Sequence, residues 1–164
     1  MTDAELLARA HEMMNALRAG EQIWINDVLH MWEQLYSKAR DTEREQALVW
    51  AEAAFALVSA CPDCWREPLS IRLLMIARFG SQDGHPLLDA QVLTADALKL
   101  IPWTPEELKV LFPDWRRQDS ATIRQLGRVR NVLAFLAQLA EFLPRPLHPE
   151  LQDWLEVRAV ARTP

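Results

Sequence analysis

Glycine, tyrosine and cysteine are scarce in this sequence of 164 residues, which contains 4 Gly, 1 Tyr and 2 Cys. Few glycines leave few positions for tight turns with positive φ, and β-sheets are normally rich in turns and in aromatic residues. Proline is absent before Pro62 and then stands mostly where apolar segments begin or end. These scarcities favour an all-α fold of six to eight helices.

Long uncharged runs are also missing. The longest one in the central apolar region extends from Ala53 to Pro62, which is far shorter than a bilayer requires. The formal net charge of −5 gives the whole chain no general attraction for nucleic acids or anionic membranes. The first residues are acidic and do not resemble a secretory signal. We therefore expect a cytoplasmic protein that does not associate with membranes and whose cysteines are reduced.

Signatures of catalysis and cofactor binding are not found either. The sequence has no GxSxG motif, no glycine-rich phosphate loop and no HExxH motif. The four histidines are scattered, and none has a metal-binding partner at helical spacing: His11, His30, His85 and His148. We expect a non-catalytic protein without a bound metal or cofactor.

The most apolar part of the chain lies between Gln46 and Phe79, where a short polar stretch joins two hydrophobic segments. Both segments are apolar around most of a helical circumference, which is typical of helices covered on several sides. Alanines in the first segment would let neighbouring helices approach closely. The pattern predicts a buried helical hairpin over 46–79 at the centre of a single domain, residues 1–164, with the longest helix packed on it.

Capping signals indicate where the early helices begin. Thr2 and Glu5 have the spacing of a capping box ahead of a first helix, and Thr42 and Glu45 repeat it ahead of a third. The segment 87–101 remains ambiguous, because its apolar residues fit either a short helix or an extended run.

Later helix starts are marked by proline and by hydroxyl residues. Thr104 followed by Pro105 predicts a short helix. Ser120 is the predicted cap of the longest helix, about 120–143. Pro149 can begin a C-terminal helix, about 149–161, and we expect a frayed end at Thr163 and Pro164.

A local basic and aromatic pattern stands out in the second half. Five arginines fall between residues 116 and 130, with Asp114 and Asp119 as the only nearby acids. On a helical wheel, several of these residues lie opposite the apolar stripe of the longest helix, and two phenylalanines continue their side. Such a face exceeds what solubility requires. The predicted partner-binding residues are Arg116, Arg117, Arg124, Arg128, Asn131, Phe135 and Phe142.

This pattern permits two functions. The first is a protein-binding module, namely an adaptor, chaperone-like or inhibitory protein, whose partner is another protein and for which homo-oligomerisation stays open. Seven tryptophans are more than one core of this size needs, which also favours an interface. The alternative is nucleic-acid binding, since TPEELKVLF and SATIRQLGRVRN resemble a helix-turn-helix unit, although their joint is long. A structural role is the remaining alternative, in which the arginines pair with acidic surface residues and the phenylalanines pack under the C-terminal helix.

The motif Cys61-Pro-Asp-Cys64 joins the two halves of the hairpin. In these four residues it resembles the active-site motif of thioredoxin and glutaredoxin proteins, which implies a redox dithiol as a third function. Those families place the motif after a β-strand, whereas a helix is predicted before Cys61. Core packing is the competing interpretation. The same joint also loosely resembles the helix, Pro-Asp, helix junction of tetratricopeptide repeats.

Overall fold

The computed structural model describes residues 1–161, which form eight α-helices and two short 3-10 turns. No β-strand occurs within this range, so the all-α prediction is confirmed. The predicted frayed end at Thr163 and Pro164 lies outside the described residues. The helices are α1 (Asp3–Arg18), α2 (Ile25–Asp41), α3 (Arg44–Ser59), α4 (Glu67–Phe79), α5 (Ala90–Leu98), α6 (Pro105–Leu111), α7 (Ser120–Leu139) and α8 (Pro149–Ala161).

The chain divides into two compact units. The first, Met1–Asp89, contains α1 to α4, and the second begins at Ala90 and contains α5 to α8. A single domain over 1–164 stays a prediction, as does the packing of the longest helix on the hairpin. Across residues 1–161, no helix combines the length and the apolar composition needed to cross a bilayer.

Helix α3 forms the centre of the first unit, because it packs against α1, α2 and α4. Trp50 and Leu57 are fully buried side chains of α3. Ala51 and Ala54 are buried as well, and their small side chains allow the neighbouring helices to approach. The helical hairpin predicted over 46–79 is therefore present as α3 and α4, joined by residues 60–66.

The two predicted capping boxes have different outcomes. Thr2 and Glu5 form one, since the Glu5 amide donates to Thr2 Oγ1 at 3.1 Å and the Thr2 amide donates to the Glu5 carboxylate at 3.2 Å. The prediction of a second box at Thr42 and Glu45 was wrong. Thr42 ends α2 instead, and its hydroxyl donates to the Lys38 carbonyl at 2.6 Å, which leaves Glu43 at the start of α3.

The second unit is built around α7, which packs against α5 and α8, while α6 packs against α8. The ambiguous segment 87–101 contains the helix α5. The longest helix ends at Leu139 rather than near residue 143, because the chain changes there to a 3-10 turn, Ala140–Phe142. Helix α8 covers the residues predicted for the C-terminal helix.

Gly80 ends α4 in a backbone conformation that other residues rarely adopt, with φ of +83° and ψ of 163°. We expect Gly80→Ala to lower the free energy of unfolding by about 1–3 kcal/mol, because the alanine side chain strains this backbone. Urea denaturation followed by circular dichroism measures the change.

Gly127 provides the matched control, because it lies inside α7 and an added Cβ would meet no atom within 4 Å. Gly127→Ala should raise the free energy of unfolding by about 0.5–1 kcal/mol, since alanine loses less backbone entropy in a helix. Equal destabilisation by both substitutions would contradict the conformational explanation.

Candidate protein-binding surface

The N-terminus of α7 is held by Asp119 rather than by the predicted Ser120, which is the first helical residue. Asp119 Oδ1 accepts a hydrogen bond of 2.8 Å from the Thr122 amide. This bond, with smaller contributions from the Thr122 side chain and the Ala121 amide, holds the pKa of Asp119 below its ordinary value. The ionised carboxylate also suits the positive end of the helix dipole. The cap therefore fixes where α7 begins and which residues follow on each face.

One face of α7 is buried from Leu126 to Leu139. Its spacing follows the helical repeat, as the sequence predicted. The buried side chains of α7 are Leu126, Val129, Val132, Leu133, Leu136 and Leu139. These residues anchor α7 in its unit and leave the rest of the helix surface for other roles.

Four predicted residues lie together outside this buried stripe, on one flank of α7. Their spacing of four, three and four residues keeps Arg124, Arg128, Asn131 and Phe135 in one row along the helix. The first three are exposed and Phe135 is half-buried. We define these four residues as the basic α7 face.

Arg116 and Arg117 each contact a residue close to them in the sequence. Arg116 stacks on Trp115, with 5.2 Å between its guanidinium carbon and the ring centroid. Arg117 pairs with Asp114, since its Nε lies 3.4 Å from the carboxylate. Both arginines are exposed and belong to a 3-10 turn, Trp115–Arg117, just before α7. They extend the positive charge beyond the helix without sharing its face.

Arg130, although it belongs to the same cluster in the sequence, lies 5.6 Å from the ring of the buried Phe112. Phe142 is exposed but lies in the 3-10 turn after α7. The α-helical register that would align it with Phe135 therefore ends before it. Neither residue belongs to the basic α7 face.

Sequence reasoning did not identify two exposed apolar side chains that lie near these arginines in the sequence. Val110 is 69% exposed on α6, and Trp115 is exposed in the following 3-10 turn. The sequence did contain a signal for the exposure of Trp115. This tryptophan lies in the polar segment PDWRRQD, where no apolar stripe of a helix would bury it. In the first unit, Trp24 precedes α2 and is 67% exposed.

The two cysteines meet in the joint between α3 and α4. Both are buried, and their Sγ atoms are 2.7 Å apart, with the Cys64 thiol donating to Cys61. Burial, the contact with Cys61 and the carboxylates of Glu67 and Asp63 raise the pKa of the Cys64 thiol. Cys64 therefore keeps its proton at neutral pH.

A cavity with a volume of about 450 Å³ lies within the second unit, between α5, the connector 143–148 and the start of α8. Leucine and proline side chains provide most of its lining. His148 and Glu150 stand among the lining residues, and His148 Nδ1 accepts a hydrogen bond of 3.2 Å from the Glu150 amide. One imidazole nitrogen is therefore already engaged by the backbone.

Within residues 1–161, no group of three or more His, Cys, Asp or Glu side chains is placed to hold a metal ion. Comparison with known proteins found no matching family model, curated protein or solved structure.

Proposed function

We propose that the chain is a non-catalytic cytoplasmic protein-binding module, an adaptor, chaperone-like or inhibitory protein, that recognises another protein through the basic α7 face. The supporting observation is the arrangement of α7 itself. One side of the helix is buried in its unit, and a flank outside that stripe presents Arg124, Arg128 and Asn131 beside Phe135. A helix anchored in this way offers a rigid surface, which lowers the entropic cost of association.

The chemistry of the face favours an acidic, amphipathic partner. Guanidinium groups bind carboxylates through paired hydrogen bonds, and arginine and aromatic residues are enriched at protein interfaces. Phe135 supplies the apolar component, while Arg116 and Arg117 add positive charge just ahead of the helix. A helix or loop that carries carboxylates around an apolar side chain would complement this combination.

Nucleic acid is the competing partner, because arginine also binds phosphate. A helix-turn-helix would require α6 to support α7 as a recognition helix. Helix α6 packs instead mainly against α8, and eight residues separate it from α7. The phenylalanine within the basic α7 face also suits a protein partner better than a phosphate backbone. We therefore favour a protein.

Site-specific photo-cross-linking in the native host distinguishes the two partners. A photoreactive amino acid replaces Asn131 on the basic α7 face or, as the matched control, the exposed Asn15 on α1. We expect one dominant adduct that is resistant to nuclease and sensitive to protease, formed only from position 131. An adduct removed by nuclease would instead support nucleic-acid binding, and equal adducts at both positions would refute this surface.

The partner identified in this way can then be titrated against purified variants. Arg124→Glu should weaken binding about tenfold or more, because it places a negative charge against an acidic surface. Arg9→Glu makes the same charge change at an exposed position of α1 and should leave the affinity unchanged. The loss should shrink as salt rises. Equal affinities of the two variants would contradict the proposal.

A further inference from the structure

The joint between α3 and α4 brings two thiols within bonding reach of each other. Cys61 and Cys64 are held in a turn in which the Cys64 amide donates to the Cys61 carbonyl at 3.1 Å. Their sulfur atoms are 2.7 Å apart. A disulfide requires about 2.05 Å, so the two sulfurs have only a short distance to close before they can bond.

We propose that Cys61 and Cys64 form a redox dithiol that a small hydroperoxide oxidises to an intramolecular disulfide. This site is independent of the basic α7 face. It gives the hairpin joint two covalent states, an open dithiol and a closed disulfide between the end of α3 and the approach to α4.

Burial of the pair determines which oxidant can reach it. Cys61 is 8% exposed and Cys64 only 4%. Between them, Pro62 and Asp63 lie at the surface, so only a thin layer of the turn separates the sulfurs from solvent. A hydroperoxide such as hydrogen peroxide is small enough to reach a sulfur that is only slightly exposed. A bulky disulfide such as oxidised glutathione would have to open the turn.

The exposure of the two thiols and the surroundings of Cys64 assign their roles. Cys64 donates to Cys61 Sγ and keeps its own proton, because burial and the Glu67 and Asp63 carboxylates raise its pKa. Cys61 is therefore the sulfur that attacks the peroxide, and Cys64 is the resolving thiol. Cys61 is also the more exposed of the two.

The reaction balances in two steps. The Cys61 thiolate attacks one peroxide oxygen and breaks the O–O bond, which forms a sulfenic acid at Cys61 and, after one proton is taken up, releases water. The Cys64 sulfur then attacks the sulfenic sulfur, an S–S bond forms, and the departing hydroxide takes the Cys64 proton and leaves as a second water. Two thiols have lost two electrons, and one peroxide has been reduced to two waters.

Hydrogen peroxide itself is the probe for the full-length, fully reduced protein. After treatment at neutral pH and unfolding in an alkylating agent, we expect the intact mass to fall by about 2 Da, with neither cysteine alkylated. Oxidised glutathione at equal oxidising equivalents should react more slowly with the folded protein. Two alkylated cysteines after peroxide treatment, or conversion to sulfinic acids without a disulfide, would overturn the proposal.

Single variants test the assigned roles. Cys64→Ser should accumulate a sulfenic acid at Cys61 that dimedone traps, because the resolving thiol is gone. Cys61→Ser should form much less dimedone adduct at Cys64. The opposite distribution of adducts would overturn the roles of the two thiols.

Arsenite tests the pairing in the wild-type protein itself, because it is small and bridges two adjacent thiols. We expect the reduced protein to bind one equivalent of arsenite, which should protect both cysteines from alkylation. Failure of the folded wild-type protein to bind arsenite would show that the two sulfurs do not act as a pair.

Discussion

Trp50→Ala is expected to lower the free energy of unfolding of the first unit by about 3–5 kcal/mol. Trp50 is 1% exposed on α3, the helix that α1, α2 and α4 surround. Alanine would remove the indole and leave a cavity that fixed helices on several sides cannot close. The Lys38 ammonium, 5.8 Å from the ring centroid, would lose its aromatic neighbour as well. Guanidinium denaturation followed by far-ultraviolet circular dichroism measures the loss.

Trp24→Ala is the matched control, because it makes the same chemical change at a side chain that is 67% exposed. Its effect should stay within about 0.5 kcal/mol, as is usual for surface substitutions. Comparable losses in the two variants would mean that burial of the indole at position 50 contributes little to stability.

Leu136→Ala is expected to cost about 2–5 kcal/mol in the second unit. Leu136 is fully buried in the stripe of α7 that faces its own unit. Loss of this side chain should loosen the helix that carries Arg124, Arg128 and Phe135. Amide hydrogen exchange along α7 should accelerate, because opening of the helix becomes less costly.

Leu136→Met is the matched control, because it replaces the leucine side chain without creating a cavity. Methionine nearly conserves the volume and should cost less than about 1.5 kcal/mol. Equal losses for the alanine and methionine variants would contradict a cavity as the cause. Leu136→Ala should weaken partner binding only through unfolding of α7, whereas Arg124→Glu should weaken it with the fold unchanged. The two variants therefore distinguish a residue that stabilises the helix from one that contacts the partner.

The buried side of α7 could be predicted because burial requires only a repeated spacing of apolar residues. Leu126, Val129 and Leu133 fall on one stripe of a helical wheel whatever lies opposite them. The row of Arg124, Arg128 and Asn131 follows from the same geometry. Their role as a partner-binding surface stays a prediction.

Helix ends were harder to predict, because several residues compete for the same unpaired backbone groups. Thr42 could cap the start of α3 or end α2. It ends α2, because its hydroxyl donates to the backbone carbonyl of Lys38 in that helix. Asp119 and Ser120 were both suitable N-caps of α7. Asp119 is the one used, because its carboxylate accepts a hydrogen bond from the Thr122 amide. In each case the local sequence is compatible with both alternatives and does not select one of them.

The amino-acid pattern alone suffices for the helical class, the buried stripe of α7 and the hairpin around Cys61 and Cys64, because hydrophobic burial is non-directional and responds to periodicity. Tertiary structure decides which of the similar residues are used. It buries Trp50 and exposes Trp24, directs Arg130 towards Phe112, and brings the two sulfurs of the hairpin joint within 2.7 Å. These outcomes depend on individual atoms and distances, which periodicity does not specify.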